Sequence, residues 1–186
     1  MTRPQSIKRT GKTFWRALTL DADVYAEAFQ RSTSNRTAYI LVGIAALSHA
    51  IGSSMILLTY NSAPALHVLA FLINGLSIVA GYYGWTWTIW SLTGGLRSKR
   101  SSYARLLPPV GLTYAPQVFN VFTVVPLLGR PIELALALWS LVAAIIALHH
   151  GLNLKLGKAI AICTGGWIGV QIAIGIIQIG VQRFLE

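Results

Sequence analysis

Acidic side chains are scarce in this sequence. Only Asp21, Asp23, Glu27, Glu133 and Glu186 occur among 186 residues, against fifteen Lys and Arg, and none lies inside an apolar run long enough to cross a bilayer. That removes chemistry built on a buried carboxylate, such as the paired aspartates of an intramembrane protease or the embedded Asp or Glu common in proton-coupled carriers. Cysteine is nearly missing too. Cys163 alone permits no internal disulfide and no thiolate metal or redox framework. Ser53 follows His49 by four residues on one helix, but no strained nucleophile turn accompanies them, so a hydrolase is not expected. A b-type haem would take two histidines at similar depth on facing helices. Only His49 is deep, which leaves it as the one candidate for single-histidine pigment ligation. His67, His149 and His150 fall at the ends of apolar runs and read as interfacial. No cofactor, metal site or catalytic residue is expected. Residues 1–37 also lack the apolar core of a cleavable signal peptide.

What the chain has instead is hydrophobicity, 54% of its residues. Apolar runs lie at about 38–58, 66–92, 106–128, 131–150 and 159–182, each long enough at 1.5 Å per residue to cross roughly 30 Å of hydrocarbon. The expected fold is all-α: a polytopic membrane protein with a five-span bundle over 38–182. A short amphipathic cytoplasmic segment over 1–37 precedes it, and a non-cytoplasmic end at 183–186 follows. No soluble domain fits beside it.

Charge orients these spans. Thirteen of the fifteen Lys and Arg fall on one side of the five-span pattern, and only Arg130 and Arg183 on the other. The positive-inside rule then places the N-terminus in the cytoplasm and the C-terminus outside it. An even number of spans would put one basic cluster on the wrong side. Arg31, Arg36, Arg97, Lys99, Arg100, Arg105, Lys155 and Lys158 form a basic cytoplasmic rim beside the membrane, suited to anionic lipid headgroups rather than to nucleic acid. A bacterial inner membrane or a thylakoid suits this layout.

Thr13 to Gln30 carries apolar residues at helical spacing, with Asp21 placed to cap a helix starting near Ala22. That segment lies either in the headgroup layer or against the bundle. Helices in lipid pack through small residues. Ser48 and Gly52, Ser77 and Gly81, and Gly165 and Gly169 are spaced for such contacts, within the chain or between copies. Span three holds Pro116, expected to kink it and free the carbonyl of Leu112. Counting inward places His49, Gln117 and Gln171 near mid-membrane, with Asn74 and Asn120 at a shared depth about 12 Å from the outer boundary. Together these form an intramembrane polar set whose members must pair. Trp85, Trp87 and Trp90 near the basic loop read as an aromatic belt.

The run Gly111-Leu112-Thr113-Tyr114-Ala115-Pro116-Gln117, then Val125-Pro126-Leu127-Leu128-Gly129 and the helix holding Trp139, resembles the third and fourth spans of bacterial Yip1-domain proteins. The resemblance covers roughly residues 14–182. Eukaryotic members carry an Asp-Leu-Tyr-Gly-Pro element in the tail. Here Asp23-Val24-Tyr25-Ala26-Glu27 matches only its first part, so the eukaryotic partner role does not carry over. The resemblance implies a non-enzymatic membrane protein that binds other membrane proteins.

Three functions compete: a scaffold, assembly factor or accessory subunit holding membrane-protein or lipid partners, or forming a homo-oligomer; a carrier or channel for a small uncharged solute; and a pigment- or haem-binding subunit.

Overall fold

A computed structural model describes residues 3–30, 34–57, 64–94, 102–125 and 127–185. Its elements are α1 (Arg3–Leu18), α2 (Ala22–Gln30), α3 (Ser34–Leu57), α4 (Pro64–Leu92), α5 (Tyr103–Leu112), a 3₁₀ helix (Pro116–Val124), α6 (Gly129–Gly151) and α7 (Leu156–Leu185). Among the described residues there is no strand. Four helices are long and apolar enough to cross a membrane, through Arg36–Met55, His67–Leu92, Gly129–Gly151 and Leu156–Ala173. Their apolar residues lie on all sides rather than on one stripe, the pattern of a helix bathed in lipid.

The expected span at 106–128 is not one helix. α5 stops at Leu112, three residues turn, and a 3₁₀ helix of nine residues begins at Pro116. Pro116 occupies the first position of that helix, where a missing N–H is no loss. The break replaces the expected kink. Leu112 keeps its carbonyl engaged, accepting from Ala115 N at 3.1 Å, while Val110 O accepts from Thr113 N at 3.1 Å and from Thr113 Oγ1 at 2.7 Å. Each backbone bond through the turn spans three residues, so the chain tightens instead of leaving orphans.

Irregular backbone survives at membrane depth only where protein covers it. Every residue from Pro108 to Gln117 is buried, enclosed by α2, α3, α4 and α6. Gly111 lies against Ala38, and Asn120 and Thr123 lie against Gly52. The broken segment therefore runs alongside α3 in the same direction, over roughly 20 Å at 1.5 Å per residue.

Of the two placements open for the N-terminal segment, α2 takes the packed one. Val24, Tyr25, Ala28 and Phe29 are buried; the first three share an apolar cluster with Leu112, Ala143 and Ala147, and Phe29 packs in another with Ala144 and Leu148. Small alanines let the helices approach closely. The Tyr25 hydroxyl donates to Ala17 O at 2.6 Å. Arg16 Nε meets Asp21 Oδ2 at 2.6 Å, and this bond holds the Asp21 carboxyl below the usual carboxylate range. Asp21 Oδ1 accepts from Asp23 N at 3.0 Å, capping α2. Trp15 remains exposed on α1.

Gly151, at the end of α6, abuts the Phe29 ring so closely that a Cβ there would overlap it. The Gly151→Leu variant should lift α2 from the bundle while the long helices stay folded. Limited proteolysis would then cut between α1 and α3 at least several-fold faster. An unchanged rate with an unchanged melting temperature would refute this docking.

The aromatic belt needs one correction. Trp87 is exposed, but Trp85 is buried and its indole N–H donates to Cys163 O at 3.2 Å, tying α4 to α7. Tyr82, also buried, donates to Leu107 O at 2.8 Å. The Tyr82 and Trp85 rings both pack edge-on against Tyr114.

Candidate functional site

The residues that build the site begin with a seam between α3 and the broken segment. Ser48 Oγ donates to Val118 O at 2.7 Å and accepts from Val121 N at 2.7 Å. Those two backbone groups are an i, i+3 pair that a 3₁₀ helix would join directly, and the hydroxyl is inserted between them. One turn on, Gly52 lets the helix backbone meet Asn120 O and Thr123 Oγ1 with no room for a Cβ. Ser48 and Gly52 thus serve a contact within the chain.

On the other side of the broken segment lies a buried amide chain. Asn120 Nδ2 donates to Gln117 Oε1 at 2.5 Å, Gln117 Nε2 donates to Ser140 Oγ at 3.3 Å, and Thr123 Oγ1 donates to Asn120 O at 2.7 Å. The chain links the 3₁₀ helix to α6, and each bond matters because no water competes at this depth. Asn120 Oδ1 and His49 Nδ1 are buried with no hydrogen-bond partner.

Gln117 forms part of the wall of a cavity of about 330 Å³ between α3, α4, α6 and α7. His49 comes from α3, Ser77, Gly81 and Trp85 from α4, Glu133, Ala137 and Ser140 from α6, and Trp167 and Gln171 from α7. The Arg130–Glu133 ion pair, at 2.9 Å, marks the end where α6 begins. Trp85 and Tyr114 form the other end, backed by the apolar cluster of Tyr82, Leu141, Ile162 and Cys163. No family model, curated protein or solved structure matches this chain.

Three members of the expected polar set, His49, Gln117 and Gln171, line this cavity, and Asn120 joins it through Gln117. Asn74 does not line it. Its carbonyl accepts from Ser77 Oγ at 2.7 Å on the same helix. Ser77 and Gly81 line the cavity. Sequence reasoning missed Ser140, Tyr114 and Trp167. Glu133, Ala137 and Ser140 repeat at helical spacing, as do Ser77, Gly81 and Trp85, so a search for polar and small residues on one stripe could have found both walls.

The spacing at Gly165 and Gly169 acts differently from the seam on α3. A Cβ at either would meet nothing within 4 Å, whereas Gly166 packs inside, against Thr88 and Trp85. Of the expected basic rim, Arg36, Arg105, Lys155 and Lys158 are exposed, whereas Arg31, Arg97, Lys99 and Arg100 lie outside the described residues. His149 Nδ1 pairs with Leu154 O at 2.7 Å. Among the described residues, no three His, Cys, Asp or Glu side chains come together as a metal site would require.

Proposed function

We propose that this chain is a Yip1-like integral membrane protein that works without catalysis, as a scaffold or accessory subunit joining other membrane proteins or copies of itself. The chain crosses the bilayer five times in this reading, with the broken segment as the third crossing. The N-terminus is cytoplasmic, the C-terminus is not, and the basic rim faces anionic lipid. The setting is a bacterial inner membrane or a thylakoid.

One observation carries the assembly role. α7 packs on α4 and α6, yet Gly157, Ala161, Gly165, Gly169 and Ala173 are all exposed, and a Cβ at Gly157, Gly165 or Gly169 would meet open space. These residues recur every fourth position and make a smooth column on one side of the helix. In lipid, where apolar burial does not drive helices together, such a column lets a second backbone approach closely.

The Gly165→Ile, Gly169→Ile double variant should fold normally and lose its partner. Chemical cross-linking in native membranes, followed by light scattering of the purified protein, should show a complex in the parent and its loss by at least tenfold in the variant. A parent that is monomeric and uncross-linked would sink the assembly reading.

A second reading is a carrier for a small uncharged solute. The cavity between the Arg130 end of α6 and Tyr114 favours it, since a carrier needs a polar site at mid-depth reached from one side.

A further inference from the structure

We infer that the cavity between α3, α4, α6 and α7 is a binding site for a neutral, hexose-sized ring bearing several hydroxyl groups. The inference deepens the second reading but asks only for binding, not for transport.

Size comes first. At about 330 Å³ the cavity sits at the low end of small-molecule sites. It has room for one saturated six-membered ring and its substituents, but not for a macrocyclic pigment.

Charge narrows the class. Arg130 and Glu133 neutralise each other at 2.9 Å, and among the described residues no other Asp, Glu, Lys or Arg lines the cavity. A ligand with a net charge would reach the deep wall with nothing to pair it. A neutral head meets no such penalty.

The hydrogen-bonding groups narrow it further. Ser140 Oγ accepts from Gln117 and keeps its own proton to give. Gln117 Oε1 is taken by Asn120, which leaves the second Nε2 hydrogen of Gln117 as a donor. Ser77, also in the wall, gives its hydroxyl proton to Asn74 O and so offers lone pairs alone. The wall therefore holds both donors and acceptors. Hydroxyl groups, each both donor and acceptor, match that mixture; a quinone carbonyl, which only accepts, answers part of it.

The remaining wall is aromatic. Trp85 has already committed its N–H to Cys163 O, so towards the cavity it offers only ring surface. Tyr114 and Trp167 stand beside it. Such surfaces suit the C–H faces of a sugar ring, whose hydroxyls then point at the polar wall.

Access is sideways. A second hollow of about 280 Å³ shares Arg130, Glu133, Ala137, Trp167 and Gln171 with the cavity and adds Leu134. It continues the space outward between α6 and α7, where Leu134, Ile172 and Ile176 are exposed. A neutral glycolipid could place its head inside while its chains stay along those residues. A free sugar presents the same head without the chains.

The test uses the full-length protein purified in a detergent without a sugar head, such as lauryldimethylamine oxide, and placed in nanodiscs. Tryptophan fluorescence titration and native mass spectrometry are run with monohexosyl diacylglycerol, free glucose and galactose, phosphatidylglycerol and a ubiquinone. Saturable binding of the hexosyl lipid, weakened at least tenfold by Ala137→Phe, is the expected result. Should Ala137→Phe fail to fold, Gln171→Leu, a change at an exposed wall position, is expected to weaken binding at least threefold. Equal binding of free hexose identifies a soluble ligand of the same class and supports the inference. Binding of phosphatidylglycerol or ubiquinone as tight as that of the hexosyl lipid overturns it, as does the absence of saturable binding by any hexose. Hexose flux into proteoliposomes, measured in parallel, separates the readings: binding without flux overturns the carrier alone.

Discussion

Replacing Gly52 with leucine is expected to lower the melting temperature of the purified protein by about 6–20 °C, taking roughly 2–4 °C per kcal/mol for a chain of this length. The site has no slack. A first side-chain carbon at Gly52 already overlaps Asn120 O and Thr123 Oγ1, and the former is backbone, held in the 3₁₀ helix and bonded to Thr123 Oγ1 at 2.7 Å. Overpacking of this kind costs about 1–3 kcal/mol. If α3 moves away to relieve it, the two Ser48 bonds at 2.7 Å are lost as well, at about 1 kcal/mol each or more where no water can replace them. The sum, about 3–5 kcal/mol, is a large share of an ordinary stability of about 5–15 kcal/mol. Gly43 lies on the same helix with nothing within 4 Å of its Cβ position. Gly43→Leu should stay within about 0.5 kcal/mol of the parent, as exposed changes usually do. Equal melting temperatures for the two variants would show that α3 and the broken segment are not in contact at Gly52.

The second large effect concerns the buried amides. Gln117→Leu should cost about 2–4 kcal/mol, because it removes the acceptor of the Asn120 amide and leaves that residue, fully buried, with neither end of its side chain paired. A stranded polar group forfeits its whole solvation, whereas replacing both partners by apolar groups of similar shape is nearly neutral. The Gln117→Leu, Asn120→Leu double variant should therefore be more stable than Gln117→Leu alone. Denaturation of the parent, both single variants and the double variant gives the coupling energy, expected at about 1–2 kcal/mol. Additive losses would mean that the two amides do not share one network.

Some of this architecture was legible in the residues and some was not, for a geometric reason. Depth is readable because a helix climbs 1.5 Å per residue, so counting inward was enough to bring His49, Gln117 and Gln171 to one level, where they line one cavity. Direction around the helix is harder, because each residue turns 100° and the neighbours that define inside come from elsewhere in the chain. Asn74 does not line the cavity. Gly166, not Gly165 or Gly169, faces the bundle, and Trp85 points inward while Trp87, two residues on, points out. The four long helices were legible because an unbroken apolar run settles the matter alone. The segment at 106–128 was not, because Pro116 permits either a kink or a full stop. Which one forms depends on the cover that α2, α3, α4 and α6 supply.

That cover sets an order of assembly during synthesis. α3 and α4 are a complete pair of lipid-compatible helices as soon as they leave the ribosome. The stretch from Thr113 to Val124 is not, since its tightened backbone is shielded on one side by α6, which is made afterwards. The nascent chain must therefore hold this stretch out of free contact with lipid, at the insertion machinery or under α1 and α2, until α6 arrives. The early synthesis of the N-terminal helices gives the growing chain a cover of its own making for its least self-sufficient segment.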